Sequence, residues 1–335
     1  MMIKNDPIDF VILWVDGADP AWLEEKSKYQ IKKGTDDNRD FRFRDWDNLQ
    51  YLFRGIEKFT PWVRKIHFVT WGHLPKWLNT NNPKLHIVNH KDFMDSKYLP
   101  SFNSEAIESC IYKIPGLSEN FVYFNDDMFI LKPMKENYFF KNNKPCDSAV
   151  LNVHCCELED GGTLCNFLNI GIINKHFKMK TVLRNNWKKW FSLKYGFNIL
   201  RTIYLLPCPR FPGILMEHLP QSFNKKTFED VWRKEPEILD MTCTHKFRSL
   251  DDTNQWLFKE WQLVSGNFNP RKCNLGISIG GIRDVEYGCR IIEKRKYNFI
   301  IYNDEDINYE DFIKARNKIN KSFDKILPQK SSFEI

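Results

Sequence analysis

Residues Phe121 to Leu131 read FVYFNDDMFIL, an apolar and aromatic run interrupted by Asn125, Asp126 and Asp127. Side chains alternate between the faces of a strand, so inside a strand Asn125 and Asp127 share one face and Asp126 takes the other. If the strand ends here, the turn aims both carboxylates into one crevice, at the C-terminal strand ends where open α/β sheets bind ligands. Two like charges held that close are costly unless a cation or a shared proton offsets them. The stretch reads as a site for a metal and a diphosphate, set against a solvated turn of the kind that Asn and Asp favour.

Working outward, Ile8 to Val15 (IDFVILWV) is almost continuously apolar and stops at Asp16-Gly17. That pattern predicts a strand covered on both faces, as in a parallel sheet. Ala21 to Lys33 predicts a helix, and Thr35 to Arg42 a polar loop. From Asp47 onward, Leu49, Leu52, Phe53, Ile56 and Phe59 recur at three- and four-residue intervals, a helix with Asp47 as its cap and Pro61 at its end. Arg44 and Asp45 precede that helix, a place suited to an anion; Arg54 reads as a surface charge. Lys65 to Thr70 and Lys84 to Val88 predict two more strands. Asn103 or Ser104 caps a helix carrying Ile107, Ile111 and Ile114, on which Glu105 and Glu108 share a face. Strands alternating with helices up to Leu131 predict a Rossmann-like α/β fold, a mainly parallel sheet flanked by helices.

Beyond Pro133 the pattern loosens. Ser148 to Val153 predicts a strand, Phe167 to Trp190 and Tyr195 to Leu206 a helical insertion, and MEHLPQSF a loop running into a helix. A further helix starts near Asp251 or Asp252, residues 270 to 304 look strand-rich, and Tyr309 to Leu327 forms a closing helix.

The 335 residues suffice for a large buried core without disulfide staples. Nine cysteines with no CxxC pair suit a reducing cytoplasm. His154, Cys155, Cys156 and Cys165 lie at spacings that fit no common zinc site. The N-terminus lacks signal-peptide features, and no apolar stretch is long enough to span a bilayer, so a cytoplasmic protein is expected. The net charge of +7 suits an anionic substrate or peripheral contact with an acidic membrane, although no strongly amphipathic basic helix declares an anchor. Aromatics make up 15%, including eleven tryptophans, chiefly as core filling.

Four blocks stand out together: IDFVILWVDGADPAW; FRDWDNLQYLFRGIEKFTPWVRKIHFVTWGHLPKWLNTNNPKLHIV; LPSFNSEAIESCIYKIPGLSENFVYFNDDMFILKP; and MEHLPQSFNKKTFEDV with KFRSLDDTNQWLFKEW. In this order they resemble the Stealth family, which includes bacterial capsular-polysaccharide sugar-1-phosphate transferases and the catalytic chain of the lysosomal-enzyme GlcNAc-1-phosphotransferase. The resemblance implies a GT-A-like arrangement. Residues 1–150 form a nucleotide-sugar-binding α/β core, 151–210 a mainly helical insertion, and 211–335 the C-terminal part of the catalytic domain. It implies transfer of a hexose-1-phosphate from a donor such as UDP-GlcNAc, UDP-GalNAc or UDP-Gal to a glycan acceptor, free or lipid-linked, with Mg²⁺ (or Mn²⁺) as cofactor and no nucleic acid partner. The competing readings are a GT-A-type glycosyltransferase that releases UDP and a non-catalytic glycan-binding protein.

By the same resemblance Asp126 and Asp127 match the family's Asn-Asp-Asp as metal ligands, with Asp127 the alternative general base. His218 takes the proton of the acceptor hydroxyl or holds a phosphate oxygen. Arg248 contacts the diphosphate, unless it pairs with Asp251 or Asp252. Glu108 matches the glutamate of the family's FNS-x-AIE block and outranks Glu105, while Asn103 and Ser104 line the same crevice. Trp14, Asp16, Gly17, Arg44 and Asp45 fall in the donor region, where turn formation competes with direct contact. One departure is Thr70-Trp71-Gly72, where many relatives carry Thr-Asp-Gly.

Overall fold

The computed structural model describes residues 6–29, 45–155, 161–280, 284–303 and 308–335. In chain order the elements are β1 (Ile8–Leu13), α1 (Pro20–Tyr29), α2 (Leu49–Phe59), β2 (Ile66–Thr70), β3 (Leu85–Asn89), α3 (Ser104–Cys110), β4 (Asn120–Asn125), β5 (Met128–Ile130), β6 (Phe140–Lys141) and β7 (Lys144–Asp147). There follow α4 (Gly161–His176), α5 (Met179–Asn185), α6 (Trp187–Trp190), α7 (Ile199–Tyr204), β8 (Gln221–Asn224), α8 (Lys225–Lys234), α9 (Pro236–Thr244) and α10 (Gln255–Val264). The chain closes with β9 (Asn269–Pro270), β10 (Gly276–Gly280), α11 (Val285–Lys294), β11 (Phe299–Asn303) and α12 (Tyr309–Ile326).

The main sheet has the order β3-β2-β1-β4-β8, with the first four strands parallel and β8 antiparallel at the edge. The expected α/β class and mainly parallel sheet are what forms. The almost continuous apolar run of β1, broken only by Asp9, follows from its two covered faces. Phe10 and Ile12 meet Leu52, Phe53 and Ile56 of α2 in one core, whereas Val11 meets Ala106 and Ile107 of α3 in the other. Each such fully buried side chain contributes about 1.5–3 kcal/mol.

At Asn125 the chain leaves this sheet, turns through Asp126-Asp127 and enters a second sheet, β10-β11-β5, where β5 lies antiparallel to β11. The Tyr302 N–H donates to the Asp127 carbonyl at 3.2 Å, so the turn is pinned between two sheets. α12 closes the far side, with Phe323 ring centroids 4.6 Å from Phe129 and 5.2 Å from Tyr51.

Several local expectations are corrected. The first helix is observed over Pro20–Tyr29, and the remainder of Ala21 to Lys33, the loop Thr35 to Arg42 and Arg44 lie outside the described residues. Asn48, not Asp47, occupies the cap of α2; Asp47 sits in the left-handed region at φ 48 and its N–H donates to Asp45 Oδ1 at 2.7 Å. Arg54 is no free surface charge: Nε donates to Glu334 Oε1 at 2.9 Å and Nη1 to the Leu327 carbonyl at 2.9 Å, tying α2 to the C-terminal tail. Ser148 to Val153 forms no strand beyond a bridge between Leu151 and Ile214. The short polar strand β8 appears where a loop was expected, because its backbone completes the edge of β4. α10 starts at Gln255, with Asn254 accepting from the Trp256 N–H, because Asp252 is engaged elsewhere. α11 interrupts the strand-rich stretch. Cys156 lies outside the described residues; among the described ones Cys155 is exposed, Cys165 is buried against Glu105, and these two form no metal-binding group with His154.

Candidate active site

A cleft of ≈ 260 Å³ opens at the C-terminal ends of β1, β2 and β4. Trp14, Ser104, Glu108, Asp126, Asp127 and Arg248 line it, from four separate parts of the sequence. Asp126 and Asp127 are half-buried in its floor, and Asp127 Oδ1 is a buried oxygen with no hydrogen-bond partner. Burial pushes the Asp127 carboxyl up to about 7. Burial, then repulsion from Asp127 and Asp45, pushes Asp126 up to about 8. Asp45 is itself raised by burial, and Asp47 and Asp16 add to the repulsion. Adjacent carboxylates short of a counter-charge, one with an orphaned oxygen, are the donor set a hard divalent cation takes. These residues fit a metal.

Opposite the turn, Arg248 directs Nε and Nη2 to Ser104 Oγ at 3.2 and 2.6 Å. It does not take the pairing with Asp251 or Asp252 that its spacing allowed. Asp252 Oδ2 accepts from Asn103 Nδ2 and the Ser249 N–H, both at 2.8 Å, and its Oδ1 faces His245 Nδ1 at 2.6 Å. Behind Arg248 lie two buried glutamates. Burial raises Glu108, while Arg248 and the Tyr123 hydroxyl, which donates to Oε1 at 2.8 Å, favour its charged form. Burial raises Glu105 to about 8, with Arg248 opposing. A guanidinium backed by buried carboxyls and steadied by one hydroxyl keeps donors for an anion in the cleft.

The other expected residues divide. His218, from the loop before β8, places Nε2 3.2 Å from Asn125 Nδ2, so the distant histidine block meets the Asn-Asp-Asp turn. Ser104 faces the cleft, but Asn103 does not line it. Asn103 Oδ1 accepts from the Glu105 N–H at 3.0 Å as the cap of α3, and its amide is held by Asp252. Asp16 is bound into its own turn, with its N–H on His73 Nε2 at 2.8 Å and Oδ1 accepting from Ala18 at 2.9 Å; Gly17 belongs to that turn. Trp14 lines the cleft yet stacks on Phe68 at 5.5 Å, which favours packing over stacking on a base. Arg44 cannot be placed, since it lies outside the described residues.

Some lining residues were missed. Tyr123 stands two residues before Asn125 on the same strand face, a period-two signal that was available. His90 follows β3, is half-buried with a buried, unpartnered Nδ1, and is pushed down to about 4 by burial and then by His73. Trp71, the departure from Thr-Asp-Gly, packs against a small cluster of Trp22, Phe102 and Phe247 in the cleft wall. The cluster of His245, Asp251 and Asp252, close enough together to hold an ion, is already knit by the hydrogen bonds above.

Stealth protein CR1, conserved region 1, matches residues 6–34, and Stealth protein CR2, conserved region 2, matches residues 42–147. The chain is 39% identical to the capsular polysaccharide phosphotransferase WcwK of Streptococcus pneumoniae, covering 99% of each chain. It is 38% identical to the exopolysaccharide phosphotransferase cps2G of Lactiplantibacillus plantarum, covering 100% of this chain and 98% of that one. Against the receptor polysaccharide phosphotransferase WefC of Streptococcus gordonii it is 37% identical, covering 98% and 99%. Among solved structures it is similar to the galactosyltransferase LgtC in complex with donor and acceptor sugar analogs, at TM-score 0.42 and 9% identity over 97% and 98% of the chains. At that level the strand order above, not the likeness, defines the fold. With identity near two residues in five sustained over the whole length, the chain belongs to the Stealth family.

Proposed function

We propose that this chain transfers a hexose-1-phosphate, N-acetylated or not, from a UDP-sugar to a hydroxyl of an acceptor glycan, forming a phosphodiester in capsular or other cell-surface polysaccharide and releasing UMP. The observation that carries this reading is the Asp126-Asp127 turn, with its unpartnered buried oxygen at the C-terminal edge of a parallel sheet and Arg248 lining the same cleft. The full-length likeness to polysaccharide phosphotransferases supports it.

The bond formed joins the acceptor oxygen to the β-phosphorus, and the bond broken frees the bridging oxygen with UMP, so the protein's task is alignment and charge neutralisation. Asp126 and Asp127 hold the cation, Mg²⁺ with Mn²⁺ as the alternative, which when bound offsets charge on the diphosphate. Arg248 gives N–H donors to phosphate oxygens, and Glu108, held by Tyr123, is a positioning residue behind it. His218 takes the proton of the attacking hydroxyl, its ring held beside Asn125; Asp127 is the alternative base. Trp14, Asp16, Gly17 and Asp45 border the donor. Among the described residues no helix is long and apolar enough to cross a membrane; we place the reaction in the cytoplasm, on an acceptor that is free or carried on lipid.

Incubation of purified protein with UDP-sugars, an acceptor glycan and Mg²⁺, followed by identification of the released nucleotide, tests this. UMP is expected. UDP would assign glycosyl transfer instead, and no acceptor-dependent product from any donor would leave a glycan-binding protein.

A further inference from the structure

The net charge of +7 is not spread over the chain. Gly161 to Met216 holds nine of the 50 lysines and arginines and none of the 43 aspartates and glutamates, so the rest of the sequence is slightly acidic. The same stretch carries the most exposed large apolar side chains among the described residues: Phe197 at 92%, Leu193 at 90% and Tyr204 at 83%, with Leu200, Trp187 and Ile203 also exposed.

This exposure is not failed packing. The segment is seated from beneath by Trp190 and Tyr195, both buried, and the Tyr195 hydroxyl donates to the Lys189 carbonyl at 2.7 Å. Lys194 Nζ donates to the Pro270 carbonyl at 2.9 Å, and Thr202 Oγ1 accepts from the Leu151 N–H at 3.1 Å. Gly196, at φ 57, turns the chain between Leu193 and Phe197, and Leu200 and Tyr204 lie one helical turn apart on α7. With the inner side chains anchored, the outer ones form an apolar tip on a segment that also carries Lys188, Lys189, Lys194 and Arg201. No single amphipathic helix shows this pattern, because three short helical pieces build it.

Apolar exposure on this scale marks an interaction surface. Protein interfaces deplete lysine at their cores, whereas leucine and aromatic side chains beside lysine and arginine suit the headgroup region of an anionic bilayer. We propose that this basic, apolar-tipped segment, Trp187 to Tyr204, seats the protein on an anionic lipid surface, with Leu193, Phe197, Leu200 and Tyr204 entering the headgroup region. The inference stands apart from the phosphotransfer reading, since lipid binding is measured without turnover.

Flotation with phosphatidylcholine vesicles containing roughly 30 mol % phosphatidylglycerol tests it, against phosphatidylcholine alone. The protein is expected to float with the anionic vesicles only, and less so at high salt. A Leu193→Ser/Phe197→Ser/Tyr204→Ser variant, with unchanged melting temperature, is expected to lose about tenfold or more in apparent affinity. Tyr309→Ser/Ile335→Ser, which removes exposed apolar side chains elsewhere, is expected to float like the wild type. No flotation on anionic vesicles overturns the proposal, as does an equal loss in this second variant. A wild-type dimer in light scattering that the triple variant dissociates, without lipid binding, would make the tip a contact between copies and also overturn it.

Discussion

Opposite ends of the same two central strands treat buried carboxylates in opposite ways. At the N-terminal end of β1, Asp9 is fully buried, yet both of its oxygens have partners: Arg64 Nε donates to Oδ1 at 2.7 Å, and the Ser118 N–H and His67 Nε2 meet Oδ2 at 2.8 and 3.0 Å. Burial raises Asp9, but these bonds outweigh it and hold the carboxyl well below the usual range. At the C-terminal end, Asp126 and Asp127 are raised, and one oxygen has no partner. A buried charge with all its partners in the protein is a brace; one without them waits for a partner from outside.

The sharpest way to break this contrast is mutation at both ends. Asp127→Asn and His218→Ala are each expected to lower turnover by about 10³-fold or more with the fold kept, read by nucleotide release and by circular dichroism. Asp9→Ala should do the reverse, costing about 3 kcal/mol in urea unfolding because Arg64 loses its counter-charge and the Ser118 N–H and the buried His67 ring lose the oxygen they meet, with activity per folded molecule retained. A stable but inactive Asp9→Ala, or an unfolded Asp127→Asn, would erase the distinction.

Arg248 tests the wall of the cleft. Arg248→Ala is expected to cost about 10²-fold in kcat, and Arg248→Lys less, since lysine restores charge but not the paired donors. Equal losses in both would point to bidentate geometry over charge.

The smallest effect concerns Glu105, a buried carboxyl outside the proposed metal set. A free glutamate ionises near 4.5, but in the fold burial holds Glu105 neutral up to about 8. Between these values the unfolded chain has released a proton that the folded one retains, so stability falls as pH rises from about 4.5 towards 8. Glu105→Gln should flatten that slope by on the order of 1 kcal/mol per pH unit, read from urea melts at several pH values across the range. An unchanged slope would show that other groups set it.

Legibility followed how local the cause was. β1 and α2 were readable because an apolar run and a three-to-four spacing are properties of contiguous residues. The Asn125-Asp127 turn was readable because polar residues interrupt a strand former. His218 and Arg248 carry no such local mark and entered through resemblance alone. Asn103 reads in the sequence both as a cap and as a cleft residue, because an asparagine that caps a helix and one that binds a ligand look alike until the partners are seen; here it caps α3. β8 was missed since its strand character comes from pairing with β4, not from alternation in Gln221–Asn224. The helical insertion was legible as helix, but its outward face was not.

From its sequence alone this protein has its α/β class, its family and the identity of its acidic turn, because periodicity and motif are written along the chain. Which oxygens lack partners, that Arg248 chooses Ser104 over Asp252, that His218 meets Asn125, and which apolar side chains stay in solvent were decided only in three dimensions. Hydrogen-bond satisfaction and burial are competitions between residues distant in the chain, and their outcome exists only once the chain has folded.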